Sequence, residues 1–248
     1  MSRAPVISAA RALAAAALAG LLAPAAPALA RAPKAPGFGE PSDLVASETA
    51  LAQAAAAKGQ WAALRAFAAP EAQWLPPDGT ALTPAQAWLK THPNPATPTR
   101  RDPHNVWMSC DGSAGVTYGA LGDGGRWFAT VWQRDAKGAY RFVLDQWGPL
   151  ARPLPPADWI EAKQADCPLP GHRRAPTPPA APLPETAGTS APLAGQSADA
   201  TLAWQTRVAP DGTRHFSLRL KTGGKWQEVL GQEGPARDTP GQDAPGPG

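Results

Sequence analysis

The chain has 248 residues and a formal net charge of +3, with two cysteines and four histidines. The charge falls to +1 without residues 1–30, which hold two arginines and no acidic residue, so it does not indicate a nucleic-acid partner. The basic pairs at 100–101 and 173–174 are too short for a phosphate-binding patch, and we interpret them as solvated loops. The histidines are scattered and the chain has no Cys-x-x-Cys or His-x-His spacing, so we expect no metal site.

Residues 1–30 have the pattern of a signal peptide. Arg3 and Arg11 give a basic start, and residues 12–22 form an apolar run that is too short to span a bilayer. Residues 28–30 read Ala-Leu-Ala, which is a cleavage signal. We therefore expect a mature chain that is periplasmic or secreted. Because no cysteine lies near the cleavage site, we expect no membrane anchor after signal removal.

The segment between the signal peptide and Pro93 is predicted to be mainly helical. Alanine-rich stretches, a breaking glycine at Gly59 and a capping-box spacing with proline at the first helical position set the boundaries. The predicted elements are a lead-in over 31–41, helices over 43–58 and 60–69, a short strand over 71–75, and a third helix from Thr83 to before Pro93.

Residues 104–147 organise the chain. Four runs rich in Val, Trp, Phe, Tyr and Thr are separated by Asp-Gly, Gly-Asp-Gly-Gly and Asp-Ala-Lys-Gly, which is typical of an antiparallel four-stranded meander. The turns place Trp107 opposite Val116, Val116 opposite Val131, and Val131 opposite Phe142. Three helices followed by this meander predict an α+β fold, with the helices packed on one face of a curved four-stranded sheet.

One face of the predicted meander mixes polar and bulky side chains. It carries His104, Thr117, Thr130 and Asp145 beside Trp132, and such a face either lines a ligand pocket or belongs to a half-covered sheet. These five residues are the candidates for a ligand pocket. Asp145 and His104 are also weak candidates for acid–base catalysis. Three strand spacings put their backbones ~14 Å apart, which favours structural roles for both.

Three segments carry a resemblance to a known family. They read AAAAKGQWAALRAFAAPEAQWL, VWMSCDGSAGVTYGAL and GRWFATVWQRDAKGAYRFVLDQW. Together they resemble the helix-Gly-helix-strand opening and the closing strands of the nuclear transport factor 2-like superfamily, which includes the polyketide cyclase-like (SnoaL-like) proteins. The resemblance covers residues 42–150. It implies a cone-shaped domain with a pocket between curved sheet and helices, but no catalytic motif of the family maps onto this chain.

The two cysteines, Cys110 and Cys167, are predicted to form a disulfide, because an even number in an exported chain favours pairing. The alternative is two buried free thiols. Residues 158–165 are predicted to form a short helix that leads to Cys167 and closes the domain over 42–167.

The rest of the chain alternates between proline-rich and strand-like patterns. We predict a flexible linker over 168–198, a small β-meander over 199–230 and a disordered tail over 231–248. A meander of this size is marginal alone, so it is expected to dock on the main domain or on a protein partner.

Two classes of function remain open from the sequence. The first is a module that binds a small apolar ligand in the cone, or a protein through residues 199–230. The second is a cofactor-free acid–base enzyme of the isomerase, cyclase or dehydratase type. No cofactor is expected in either case, because no Gly-rich phosphate loop or catalytic triad order is present.

Overall fold

The computed structural model describes residues 38–76, 81–167, 193–209 and 212–234. This part of the chain contains eleven strands and three helices. The predicted signal peptide lies outside the described residues, as do most of the predicted linker and tail.

The three helices match the alanine-rich stretches. They are α1 (Pro41–Lys58), α2 (Gln60–Phe67) and α3 (Ala85–Thr91). Gly59 separates the first two with a φ of +92°, a left-handed conformation that favours glycine. Asn94 then accepts hydrogen bonds from the backbone N–H groups of Trp61 and Ala62, which satisfies the first turn of α2. Among the described residues, no helix is long and apolar enough to cross a membrane.

The larger sheet has seven strands. They are β1 (Ala68–Trp74), β2 (Thr83–Pro84), β3 (Arg101–Met108), β4 (Ala114–Leu121), β5 (Arg126–Arg134), β6 (Tyr140–Pro149) and β7 (Glu161–Gln164). Their order across the sheet is β2-β1-β6-β5-β4-β3-β7. The predicted meander forms the centre, from β3 to β6. Strand β1 joins β6 in parallel and β7 joins β3 in parallel, so the sheet is mixed.

The smaller sheet has four antiparallel strands in the order β11-β10-β9-β8. They are β8 (Leu193–Gln196), β9 (Leu202–Val208), β10 (Arg214–Thr222) and β11 (Lys225–Gly234). Strand β8 lies within the range predicted as a linker, and β11 extends past the predicted end of the meander. This sheet packs on the large one: the Tyr118 hydroxyl donates to Gln232, and the Thr206 hydroxyl donates to Gln146.

The predicted fold class is wrong. The structure is mostly β, with a seven-stranded mixed sheet and a second sheet, and not a cone of helices on four strands. The face opposite the helices carries Trp107, Tyr118 and Trp127, all buried, and apolar area of this size needs a cover. Leu218 and Phe216 of the second sheet belong to the same apolar core and provide it.

The predicted helix over 158–165 is also wrong, because residues 161–164 form β7. The free edge of β3 leaves backbone N–H and C=O groups unpaired, and a short parallel strand satisfies them. The exposed side chains of Glu161 and Lys163 keep this outer edge charged.

The register of the meander agrees with two of the three predicted pairs. Trp107 lies opposite Val116, and Val116 opposite Val131. The third pair is wrong, since Val131 lies opposite Leu144 and a β-bulge follows. The bulge adds one residue to β6, which turns Phe142 toward the helices. Its ring then meets the ring of Trp132 edge-on, with centroids 6.3 Å apart.

Two turns with the same hydrogen-bond pattern, one from each sheet, bring the sheets into contact. In each, an aspartate accepts hydrogen bonds from hydroxyls two residues before and two residues after it. The two triplets are Ser109, Asp111 and Ser113, and Ser197, Asp199 and Thr201. The residue after each aspartate has a positive φ, +67° at Gly112 and +52° at Ala200. The backbone N–H of Asp111 donates to Asp199, so the turns pack against each other.

Cys110 and Cys167 form the predicted disulfide, with Cα atoms 5.1 Å apart. The bond lies beside the paired turns and joins the end of β3 to the segment after β7. Because it closes a loop of 57 residues, the chain-entropy estimate of its contribution is about 4 kcal/mol.

Candidate functional site

A cleft of about 330 Å³ opens on the helical face of the large sheet. Its walls include Trp61 and Leu64 of α2 and Trp74 of β1, and its floor includes Arg101 of β3 and Asp145 of β6. An aromatic wall with a few polar groups is the usual construction of a small-molecule site.

The aromatic wall is built by edge-on packing of tryptophans. The ring centroid of Trp74 lies 5.3 Å from that of Trp61 and 4.6 Å from that of Trp88 on α3. Trp147 completes the lining, and its Nε1–H donates to the carbonyl of Leu75 at 3.1 Å. The Nε1–H of Trp74 is buried and has no acceptor among the described residues.

The floor of the cleft is a buried charge cluster. The Arg101 guanidinium lies 3.1 Å from the Glu48 carboxylate and 3.2 Å from the Asp145 carboxylate. The three side chains are 11%, 3% and 7% exposed, respectively. One cation thus faces two carboxylates with little access to water. Buried charges are costly unless they are paired and hydrogen-bonded, so these carboxylates need hydrogen-bond donors from the protein.

Hydroxyl groups extend this cluster beneath the helices. Thr130 donates to Asp145 Oδ1 at 2.6 Å and also contacts the Arg101 guanidinium. Thr117 donates to Glu48, and the Nε1–H of Trp132 donates to Thr117 at 3.0 Å. Oδ1 of Asp145 takes the hydrogen bonds from Thr130 and Arg101, whereas its Oδ2 accepts none from the described residues.

The cluster shifts the protonation of its members. Burial alone would lower the pKa of Arg101, but the charges of Asp145 and Glu48 raise it overall. Burial raises the pKa of Asp145 above the usual aspartate value, and Arg101 and Thr130 only partly oppose this. Burial therefore favours the neutral form of Asp145 more than it does for an aspartate in water.

The structure brings together four of the five predicted pocket residues. Thr117, Thr130, Trp132 and Asp145 share one hydrogen-bonded cluster, but only Asp145 lines the cleft. His104 lies apart, at a β-bulge in β3, and its Nε2 is buried without a partner among the described residues. His104 and Asp145 do not form a catalytic pair, because β4 and β5 separate their strands.

Arg101 and Glu48 are not among the residues that the sequence predicts for the site. The sequence pattern predicts a solvated loop at Arg101, but this residue begins β3 and reaches across β4 to Thr130 on β5. Glu48 stands four residues after Leu44 and three before Leu51, both fully or nearly fully buried, so its position on the apolar stripe of α1 was the available signal.

No group of three or more His, Cys, Asp or Glu side chains in the described part of the chain is placed to hold a metal ion. No protein-family model matches the sequence, and no curated protein is significantly similar to it.

Proposed function

We propose that the chain is an exported binding module that holds a small, largely apolar molecule in this cleft. The observation that supports it is the tryptophan-lined space of about 330 Å³ above the partly open Asp145 carboxyl. This volume lies near the lower end of the range for ligand pockets, which suits a small molecule rather than a peptide. Oδ2 of Asp145 supplies a polar contact that orients the ligand.

Thr99→Trp is expected to abolish binding by filling the cleft. Thr99 lines the space and is half-buried, so an indole there occupies the ligand's volume without entering the core. The measurement is a fluorescence titration with phenylnaphthylamine, a neutral probe that brightens in apolar sites. The wild-type chain is expected to bind one probe molecule per chain with a saturating signal.

Thr49→Trp is the matched control, because Thr49 is exposed on α1 and does not line the cleft. This variant is expected to titrate like the wild type. Equal binding by the wild-type chain and the Thr99→Trp variant would place the probe elsewhere and remove the support for this cleft.

A second candidate is a cofactor-free acid–base enzyme acting in the same cleft. The specific observation in its favour is the raised pKa of Asp145, which burial causes, together with its open Oδ2. Asp145→Asn separates the classes, since it keeps the shape and removes the titrating group. Turnover of a bound molecule that is lost while binding persists indicates an enzyme. Binding without turnover in both forms indicates a carrier or a sensor.

A further inference from the structure

We infer that the ligand of the cleft is a small cyclic anion, such as an aromatic carboxylate or sulfonate, whose charge meets Arg126. This inference rests on the proposed function and names its ligand class. It comes from a comparison of two arginines in the lining, of which only Arg101 has carboxylate partners among the described residues.

Arg126 is a cation of the lining without a carboxylate partner among the described residues. It begins β5, lines the cleft and is half-buried. Its guanidinium lies 5.3 Å from the ring centroid of Trp147, and its N–H groups donate to no acceptor among the described residues, so they can meet an anion. Arg101, by contrast, is held between two carboxylates and is not available.

Trp74 contributes its ring, and not its Nε1–H, to the surface of the cleft. The residue is 2% exposed, it lines the cleft, and its Nε1–H has no acceptor among the described residues. Trp147, in the same lining, donates to a backbone carbonyl and is therefore satisfied. Because an atom without accessible surface cannot be reached from the cleft, Trp74 offers a ligand its ring and no hydrogen bond.

Arg101 and burial reduce the negative charge that the floor of the cleft presents to such a ligand. Arg101 offsets the charge of Asp145 across 3.2 Å, and burial favours the neutral form of that carboxyl. The cleft thus presents the Arg126 guanidinium beside an apolar wall.

The test compares two probes that share one ring system. Anilinonaphthalene sulfonate is anionic, and phenylnaphthylamine lacks the sulfonate. Arg126→Gln is expected to weaken binding of the sulfonate by about tenfold (~1.4 kcal/mol) relative to its effect on the neutral probe. Arg126→Lys, which keeps the charge, is expected to retain most of the sulfonate affinity.

Arg152→Gln is the matched control, because Arg152 is exposed and does not line the cleft, so neither probe should respond. Near-UV circular dichroism checks that every variant keeps the native packing. If the neutral probe binds but Arg126→Gln leaves the sulfonate affinity intact, the inference is overturned and the proposed function stands. If neither probe binds the folded wild-type chain, the proposed function fails and the inference fails with it.

Discussion

Replacement of Arg101 by methionine is expected to lower the free energy of unfolding by about 3–5 kcal/mol. Methionine keeps much of the side-chain length but leaves Glu48 and Asp145 buried without their cation. It also removes a hydrogen-bond donor to Thr130. The measurement is urea unfolding at neutral pH, followed by tryptophan emission, because the packing around Trp132 depends on the same cluster.

Arg100→Met is the control for this experiment. Arg100 is the neighbouring arginine and also forms an ion pair, with Asp102 at 3.0 Å, but its side chain is 65% exposed. Water screens such a pair, so the variant is expected to cost less than about 1 kcal/mol. Equal losses at the two positions would show that the Arg101 cluster is not the buried structural centre described above.

Replacement of Phe216 by alanine is expected to cost about 3–5 kcal/mol and to weaken the whole molecule. Phe216 lies on β10, is 2% exposed and belongs to the core shared by both sheets. Because the small sheet covers Trp107 and Trp127 on the large one, the two are expected to unfold together. Far-UV and near-UV circular dichroism should therefore show one coincident thermal transition, shifted to a lower temperature.

Phe38→Ala provides the comparison, since Phe38 is 59% exposed and its loss should change stability by less than about 0.5 kcal/mol. Two separate transitions in the Phe216→Ala variant would contradict a shared core. That outcome would instead make the small sheet an independent unit docked on the main domain.

The local structure was predictable where turn residues and helix-breaking glycines determine strand pairing and helix ends. The Asp-Gly turn at 111–112 sets the pairing of Trp107 with Val116, and Gly59 ends α1 where the pattern indicated. The bulge after Val131 was not predictable, because an extra residue in a strand leaves no mark in an apolar run. The four-residue strand β7 has no apolar alternation and forms only because an edge needs a partner.

The residues of the site were predictable only in part. Alternation along the strands placed Thr117, Thr130 and Asp145 on one face, and the structure joins them in one cluster. Arg101 and Glu48 complete that cluster across 53 residues of sequence. Charged residues are usually solvated, so only the three-dimensional packing shows that these two are buried and paired.

Native mass spectrometry of the protein purified from its own host tests the central claim most directly, because it asks whether a small molecule occupies the cleft. We expect the folded chain to carry one adduct of low mass, and the Thr99→Trp variant, prepared in the same way, to carry none. An adduct that persists in the Thr99→Trp variant would contradict the claim. So would an adduct-free wild-type chain that also fails to bind phenylnaphthylamine in solution.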